Sequence, residues 1–388
     1  MFQKLFGSHC FRFLVIASLT AGIFLHCLDG GRLAMLWGIL TVAAGALACC
    51  VCIPRTWVAY ASMTVLSLAL TCAGIEYYYY LTSYNDNRVC DGKYPIVPDA
   101  ELGYAPRAQA SATRSTVTVD GKPVYSVTYT TGADGWRVTP QHPKARRAVV
   151  FLGCSYTMGE GVDDADSYPW KVAEALGDDW QVYNFGLSGY GAHHALALLE
   201  SGCLAPLFAR YDTVKVFFLT LPGHELRVSG FSAWDKHGPR YLVEEGKAVR
   251  RGHFDEALHP GWLGAQWQKV REAFMQTQLC KEVIMQILRF DHAGMIRRQG
   301  AIFLGLRDYV RDLYPNADFT LLVYPSAAED VPIYEEQGVP LINLAEAFPD
   351  WPDDARYRIA LDRHPTPLAY EKVAALLAAR IARRDGAR

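Results

Sequence analysis

The chain lacks an excess of charge of either sign. Its 38 Lys and Arg residues are nearly balanced by 40 Asp and Glu residues, which leaves a formal net charge of -2. Without a basic excess there is no electrostatic footprint for nucleic acid, so the sequence predicts no nucleic-acid partner. Internal repeats and low-complexity segments are lacking too. A chain of 388 residues has room for one large domain with an appendage, or for two domains.

Metal-ligand spacing is also lacking. Cys90, Cys154, Cys203 and Cys280 lie outside the apolar N-terminal region, and no pair of them has the spacing of a zinc site. The sequence therefore predicts no metal and no cofactor. A disulfide such as Cys203 to Cys280 is allowed in an oxidising compartment but is not indicated. A nucleotide-binding Rossmann domain is excluded, because no Gly-x-Gly-x-x-Gly motif follows the first predicted strand with an acidic residue further on.

Charged residues are scarce near the N-terminus. Residues 33–53 and 56–75 carry none, and each run matches the roughly twenty residues that cross a hydrocarbon core about 30 Å thick. Residues 13–28 are also uncharged, but this run is shorter. It is either a third span, a signal-peptide segment or an interfacial segment. We expect residues 1–82 to be a membrane anchor with about three transmembrane helices in the lipid bilayer.

The distribution of basic residues predicts an orientation for these spans. An N-terminus inside the cell places Lys4, Arg12 and Arg55 in the cytoplasm and leaves Arg32 outside. Three spans then carry the rest of the chain outward, which predicts a bacterial inner-membrane protein with its large domain in the periplasm. The four tyrosines at residues 77–80 are typical of an aromatic belt at the membrane surface or, alternatively, of a buried aromatic strand.

Beyond the anchor, residues 83–146 are predicted to be a linker and a small β element. Two β-rich runs flank Asp120-Gly121, which is a hairpin signal. The remainder, residues 147–388, alternates between buried strands and helices. The predicted strands lie at residues 148–152, 180–185, 214–221, 319–324 and 340–344.

This alternation predicts an α/β fold with a doubly wound, mainly parallel five-stranded sheet. We expect helices at residues 168–175, 193–209 and 367–382. A long insertion at residues 228–315 combines a hairpin around Glu245-Gly246 with a helical part from about residue 263 to 313. The insertion is a candidate substrate lid, or else a surface that packs on the membrane or on a partner.

The first of three segments that carry chemistry contains Ser155. This serine directly follows the first predicted strand, at the strand's carboxyl end, where ligands bind in such sheets. Gly153, Gly159 and Gly161 let the backbone turn sharply and approach a substrate. The segment is not the Gly-x-Ser-x-Gly elbow of α/β-hydrolases, because Thr157 stands where the second glycine would be.

The other two segments supply complementary groups. Residues 184–191 form a glycine-rich turn after the second strand, and Gly189 is its natural backbone N–H donor. Asp362 and His364 lie just before the last helix. The aspartate can fix the tautomer of the histidine while the histidine takes a proton from a serine. Together the segments supply a nucleophile, a base, an orienting acid and oxyanion donors.

This set resembles the SGNH (GDSL-type) hydrolase superfamily in its membrane-anchored bacterial type. Residues 153–156 match the family's first block, with Cys154 where an Asp is common. Residues 184–189 match the second block and residues 362–365 the last. The resemblance covers about residues 147–382. It implies a flavodoxin-like sheet of the SGNH type, with Ser155, Asp362 and His364 as catalytic triad and the N–H groups of Ser155 and Gly189 in the oxyanion hole.

The third family block departs from its usual pattern. His224 follows the third strand at the place where the family has an Asn that donates to the oxyanion. An imidazole can donate one hydrogen bond, so we expect His224 to complete the oxyanion hole. The alternative is that His224 is structural. Losing one such donor typically lowers the rate about 100- to 1,000-fold.

The resemblance implies serine-dependent ester hydrolysis or O-acyl transfer outside the cytoplasm. We expect an acylated carbohydrate as substrate, most simply O-acetyl groups of a cell-surface carbohydrate, with a membrane acyltransferase as a possible partner. One alternative is a lipid esterase at the membrane, and another is a non-catalytic binding or partner subunit. Trp234, Trp262 and Trp267 of the insertion are candidates for stacking on sugars or, alternatively, core residues.

Overall fold

The structure is a computed structural model. It describes residues 31–52, 56–82, 88–91, 96–108, 111–118, 123–232, 234–256, 279–284, 291–352 and 355–385, with residues 16, 17, 20, 270, 274 and 277. The chain divides into two compact units. The first is Met1–Asp86 with Leu258–Phe290, and the second is Asn87–Ala257 with Asp291–Arg388.

Two apolar helices dominate the first unit. They are α1 (Gly31–Cys52) and α2 (Thr56–Thr82), which pack together through Cys49 and Val58. Among the described residues, one helix, Thr56–Tyr78, is long and apolar enough to cross a membrane, and Trp37–Cys49 is a shorter apolar helix. Most of the predicted span at residues 13–28 lies outside the described residues.

The surface of α2 is apolar rather than polar. Trp57, Tyr60 and Leu68 are all exposed there. The tyrosine run at residues 77–80 continues α2 as a helix, so the alternative of an aromatic strand is wrong. Glu76, on the same helix, is buried and accepts the backbone N–H of Leu279 at 2.9 Å, at the start of a π-helical segment, Leu279–Ile284.

The second unit begins with small antiparallel strands. They are β1 (Arg88–Asp91), β2 (Ile96–Asp99), β3 (Gly103–Pro106), β4 (Ser111–Thr118) and β5 (Pro123–Thr130). The predicted hairpin is confirmed as the β4–β5 pair, which β1 extends to a three-stranded sheet. Val127 and Tyr129 on β5 pack against Met158, so this sheet supports the segment after Ser155.

The main sheet confirms the predicted doubly wound α/β fold. Its strands are β6 (Arg147–Gly153), β7 (Trp180–Gly186), β8 (Thr213–Thr220), β11 (Ala317–Val323) and β12 (Leu341–Asn343). They lie in the order β12-β11-β8-β6-β7, and every neighbouring pair is parallel. The strand order reverses at β6, so the carboxyl ends of β6, β7 and β8 open onto one crevice.

Helices cover both faces of this sheet. They are α3 (Ser155–Met158), α4 (Tyr168–Leu176), α5 (Ala192–Glu200), α6 (Ala205–Arg210), α7 (His224–Arg227), α8 (His292–Leu313), α9 (Val331–Glu336) and α10 (Pro367–Asp385). Alternate strand residues face opposite layers. Val150 and Leu152 pack in the layer that contains α5 and α8, while Val149 and Phe151 pack in the layer that contains α4 and α10.

Two helical segments of the structure differ in their bounds from the predicted ones. The helix expected at residues 193–209 is two helices, α5 and α6, because Gly202 adopts a left-handed φ of 73° and Pro206 starts a new helix. In the insertion, the predicted hairpin is confirmed as β9 (Pro239–Glu244) and β10 (Lys247–His253). Its helical part is described as α8 from His292 onward, and most of residues 263–290, with Trp262 before them, lie outside the described residues.

Candidate active site

Ser155 stands at the start of α3, immediately after β6. The backbone of Cys154 is still extended, and the chain turns into the helix at the serine. Gly159 ends this single turn in a left-handed conformation with φ of 88°, which favours glycine. The N–H groups of Gly159 and Glu160 both donate to the Ser155 carbonyl at 2.9 Å. The strand end and the tight turn therefore fix the serine backbone.

Asp362 and His364 lie on a constrained loop just before α10. Leu361 and Arg363 have left-handed φ angles of 64° and 69°, which residues other than glycine adopt rarely. The Ile359 N–H donates to the His364 carbonyl at 2.8 Å and closes the loop. This conformation points the side chains of Asp362 and His364 at each other.

The three predicted triad residues meet in space. His364 Nε2 lies 3.0 Å from Ser155 Oγ, although the two residues are 209 positions apart. His364 Nδ1 hydrogen-bonds Asp362 Oδ1, which leaves Nε2 to accept the serine proton. The Asp362 side chain is 2% exposed and that of His364 is 20% exposed. The carboxylate is therefore shielded from water while the imidazole can be reached from outside.

Gly189 lies beside this triad, in the turn after β7. Its φ of 87° is left-handed, and a Cβ would stand 2.5 Å from the Tyr104 hydroxyl and 2.6 Å from Trp234 Nε1. The second block reaches the first because Gly186 packs directly against the backbone of α3. Within the part of the chain that the structure describes, the backbone N–H groups of Ser155 and Gly189 donate no hydrogen bond. Their predicted role in an oxyanion hole stays a prediction.

His224 is fully buried at the start of α7. Burial lowers its pKa well below the usual histidine value, and nearby Arg227 adds to the effect, so the ring is neutral. Neither ring nitrogen has a hydrogen-bond partner among the described residues, and the ring packs edge-on near Phe218, with centroids 5.8 Å apart. The described contacts do not join His224 to Ser155, Gly189 or His364. Its donation to the oxyanion stays a prediction.

Glu160 is a site residue that the sequence did not single out. It is buried in the loop after α3, and its Oε2 lies 3.9 Å from His364 Nε2. The Ser188 hydroxyl, one residue before Gly189, donates to the same carboxylate oxygen. Glu160 therefore lies between the base and the glycine turn. Its only sequence signal was its position between two glycines of the first block.

Arg137 is a second residue that the sequence did not reveal. Its buried guanidinium donates to the carbonyls of Met158 and Gly159, at 2.6 and 2.7 Å, and to that of Val162 at 2.8 Å. It also pairs with Asp164 at 2.7 Å. One fixed fork of donors thus holds both ends of the loop that carries Glu160. The residue comes from a separate segment, so no local motif marks it.

A second assembly of histidine and aspartate lies in the interior. His193 Nε2 lies 2.9 Å from one oxygen of Asp235, and His194 Nε2 lies 3.2 Å from the other. Burial, helped by His194, lowers the pKa of His193 to about 4. Burial by itself would raise the pKa of Asp235, but His194 and His193 outweigh it and lower that pKa below its usual range. The assembly is a buried carboxylate between two imidazoles.

This assembly has the residue types of a metal site, and His292 with Glu329 and Asp330 is a second such group. In the buried assembly, the Gly191 N–H donates to His194 Nδ1 at 3.2 Å, so Nε2 carries the ring proton. A metal on Nε2 would move that proton to Nδ1, where it would face the Gly191 N–H. The hydrogen bond at Nδ1 therefore argues against a metal on His194 Nε2.

Comparison with known proteins gives similar chains only among solved structures, since no protein-family model and no curated protein matches the sequence. The lipase/acylhydrolase from Enterococcus faecalis is 15% identical, with a TM-score of 0.32, over 61% of this chain and 96% of that one. An acetyl xylan esterase from the rumen bacterium Butyrivibrio proteoclasticus is 16% identical, with a TM-score of 0.31, over 66% and 67%. A member of the lipolytic protein G-D-S-L family from Veillonella parvula is 10% identical, with a TM-score of 0.31, over 59% and 94%.

Proposed function

We propose that the α/β unit is an SGNH-type serine esterase in which Ser155 is the nucleophile and His364 the general base. The 3.0 Å approach of His364 Nε2 to Ser155 Oγ, with Asp362 on the other ring nitrogen, carries this proposal. Serine is a weak nucleophile until an adjacent base takes its proton, and an oriented imidazole supplies that base. The left-handed loop residues on either side of Asp362 support the assignment, because strained backbone clusters at active sites.

In the proposed reaction, Ser155 Oγ attacks the ester carbonyl as His364 takes its proton. The N–H groups of Ser155 and Gly189 stabilise the oxyanion, and Asp362 stabilises the imidazolium. His364 then gives the proton to the leaving alcohol as the C–O bond breaks, which leaves an acyl-enzyme. Water as the second nucleophile gives hydrolysis, and a sugar hydroxyl gives O-acyl transfer. His224 is the proposed third donor to the oxyanion, as the sequence predicts.

The substrate class we propose is an O-acetylated carbohydrate of the cell surface. Trp234 supports this class, because its indole is 59% exposed and its Nε1 lies 3.4 Å from the Gly189 carbonyl. The guanidinium of Arg227 lies 5.8 Å from the Trp234 ring centroid, which steadies the indole. An exposed aromatic face beside an oxyanion turn suits the apolar face of a sugar ring.

We further propose that the enzyme is anchored in a bacterial inner membrane with its active site in the periplasm. The apolar length and exposed apolar surface of α2 support the anchor. The distribution of Lys and Arg in the N-terminal residues supports the orientation. A membrane acyltransferase is the proposed partner if the reaction is acyl transfer.

The test uses the full chain in detergent and a fluorophosphonate probe, with p-nitrophenyl esters of two to twelve carbons. Wild type should be labelled and should release acetate, while Ser155→Ala and His364→Ala should lose both signals. Ser201→Ala is the matched control, because Ser201 lies at the end of α5 and bonds only local backbone. A preference for acetyl esters is expected.

Two results would change the proposal. A preference for long acyl chains would replace the carbohydrate substrate with a membrane lipid. A folded wild-type protein that is neither labelled nor active would refute the esterase and leave a binding subunit.

A further inference from the structure

A carboxylate stands on the substrate side of the base. Asp362 binds Nδ1 of His364, whereas Glu160 Oε2 lies 3.9 Å from Nε2, the nitrogen that also faces Ser155. The Glu160 side chain is 10% exposed, which lies between the 2% of Asp362 and the 20% of His364. The Ser188 hydroxyl donates to Glu160 Oε2. The triad uses Asp362 for orientation, so Glu160 is left without a role in the reaction described above.

The position of the leaving alcohol follows from the chemistry of the base. Nε2 must protonate the leaving oxygen, so that oxygen lies about 2.6–3.2 Å from Nε2 when the acyl-enzyme forms. Glu160 Oε2 lies 3.9 Å from the same nitrogen, so a substituent of the leaving alcohol can reach the carboxylate. An ionised carboxylate only accepts hydrogen bonds, and the ester oxygen has no proton to donate. The group that Glu160 can bind is a hydroxyl on the neighbouring carbon.

We propose that Glu160 accepts a hydrogen bond from a hydroxyl vicinal to the ester and selects monoesters of vicinal diols, such as a partly acetylated sugar ring. This inference rests on the proposed esterase function and narrows its substrate class. Glu160 neither gains nor loses a proton in the reaction. The proton that leaves Ser155 passes through His364 to the leaving alcohol, and Glu160 holds that alcohol in place.

The electrostatics of the site agree with a specificity role. A carboxylate beside the glycine turn opposes negative charge on the oxyanion, which slows the reaction of an ester with no donor. A vicinal hydroxyl offsets that repulsion by donating a hydrogen bond to the carboxylate. Arg137 holds both ends of the loop, so the carboxylate keeps its place without substrate.

The test compares 2-hydroxyethyl acetate with 2-methoxyethyl acetate, in which a methyl group replaces the hydroxyl hydrogen and removes the donor. The measurement is the ratio of their kcat/KM values for the full chain in detergent. The rate is followed by the acetate that is released from each ester. Glu160→Gln should lower this ratio about tenfold, because a neutral acceptor replaces a charged one. Glu174→Gln on the exposed face of α4 makes the same chemical change away from the site and should keep the wild-type ratio.

A second variant separates recognition from positioning. Ser188→Ala removes the hydroxyl that donates to Glu160, and it should change kcat/KM for both esters by the same factor. If Glu160→Gln lowers kcat/KM for both esters by the same factor, so that their ratio is unchanged, Glu160 does not bind the vicinal hydroxyl and the inference is overturned. If wild-type protein is still labelled by the fluorophosphonate, only this inference fails and the proposed esterase function stands. Folded wild type with no label and no acetate release would overturn the proposed function and this inference together.

Discussion

Two assemblies in this protein combine the same groups, an aspartate and histidine, and their surroundings separate them. In the first, His364 bridges Asp362 and the hydroxyl of Ser155, and its side chain is 20% exposed. In the second, His193 and His194 both face Asp235, and their side chains are fully buried. On the proposed function, a paired imidazole acts as a base where its second nitrogen faces a hydroxyl and its ring can be reached from outside.

The two assemblies also differ in what they hold together. Asp362 and His364 are two residues apart on one strained loop, so their pairing is local and leaves Nε2 for another group. Asp235 comes from the insertion and binds histidines on α5, so it joins two distant parts of the second unit. His194 also accepts the N–H of Gly191, close to the Gly189 turn. We therefore propose chemistry for the first assembly and support of the glycine turn for the second.

The largest effect is expected from Asp362→Asn. An amide cannot hold the histidine tautomer or stabilise the imidazolium, so kcat should fall about 1,000- to 10,000-fold. The melting temperature should stay near that of wild type, because the amide fills the same space. The rate of p-nitrophenyl acetate hydrolysis and the thermal transition measure the two quantities. A loss of less than tenfold would contradict the assignment of Asp362.

Asp235→Asn should have the opposite profile. A hydrogen bond to a charged group such as the Asp235 carboxylate contributes about 1.5–3 kcal/mol, and an amide oxygen replaces it only in part. Urea unfolding should show this loss, while kcat of the remaining folded protein should fall far less than in Asp362→Asn. If kcat falls as steeply in both variants, the second assembly takes part in the chemistry and the comparison fails.

A smaller effect is expected from pH. His193 has a pKa of about 4 in the folded protein, against about 6.5 for an unperturbed histidine. Between these values the unfolded chain binds a proton that the folded chain does not, so stability falls as the pH drops from 6.5 toward 4. Burial lowers the pKa of His224 as well, which acts in the same direction. The loss should be on the order of a few kcal/mol.

Urea midpoints at pH 7.5, 6 and 5 measure this loss in wild type and in His193→Gln. The variant has no titrating group at this position, so its stability should depend less on pH across the same interval. Equal slopes in the two proteins would show that His193 does not control the acid sensitivity.

Prediction from sequence worked best where a signal is local. Buried parallel strands are short apolar runs, and all five strands of the main sheet were found within a few residues. The Gly202 break inside the helix at residues 193–209 was missed, because apolar periodicity continues across it. The serine, glycine-turn and Asp-x-His segments were also visible, since each lies at the end of a strand or before a helix.

The sequence by itself determined the apolar N-terminal helices, the strand order along the chain and the candidates Ser155, Asp362 and His364. Only the tertiary structure decided that Glu160 faces the base, that Arg137 holds its loop and that Asp235 binds His193 and His194 inside the core. The physical reason is that the first set follows from hydrophobic periodicity and turn chemistry within a few residues. The second set depends on contacts between distant segments, whose distances and burial exist only once the chain has packed.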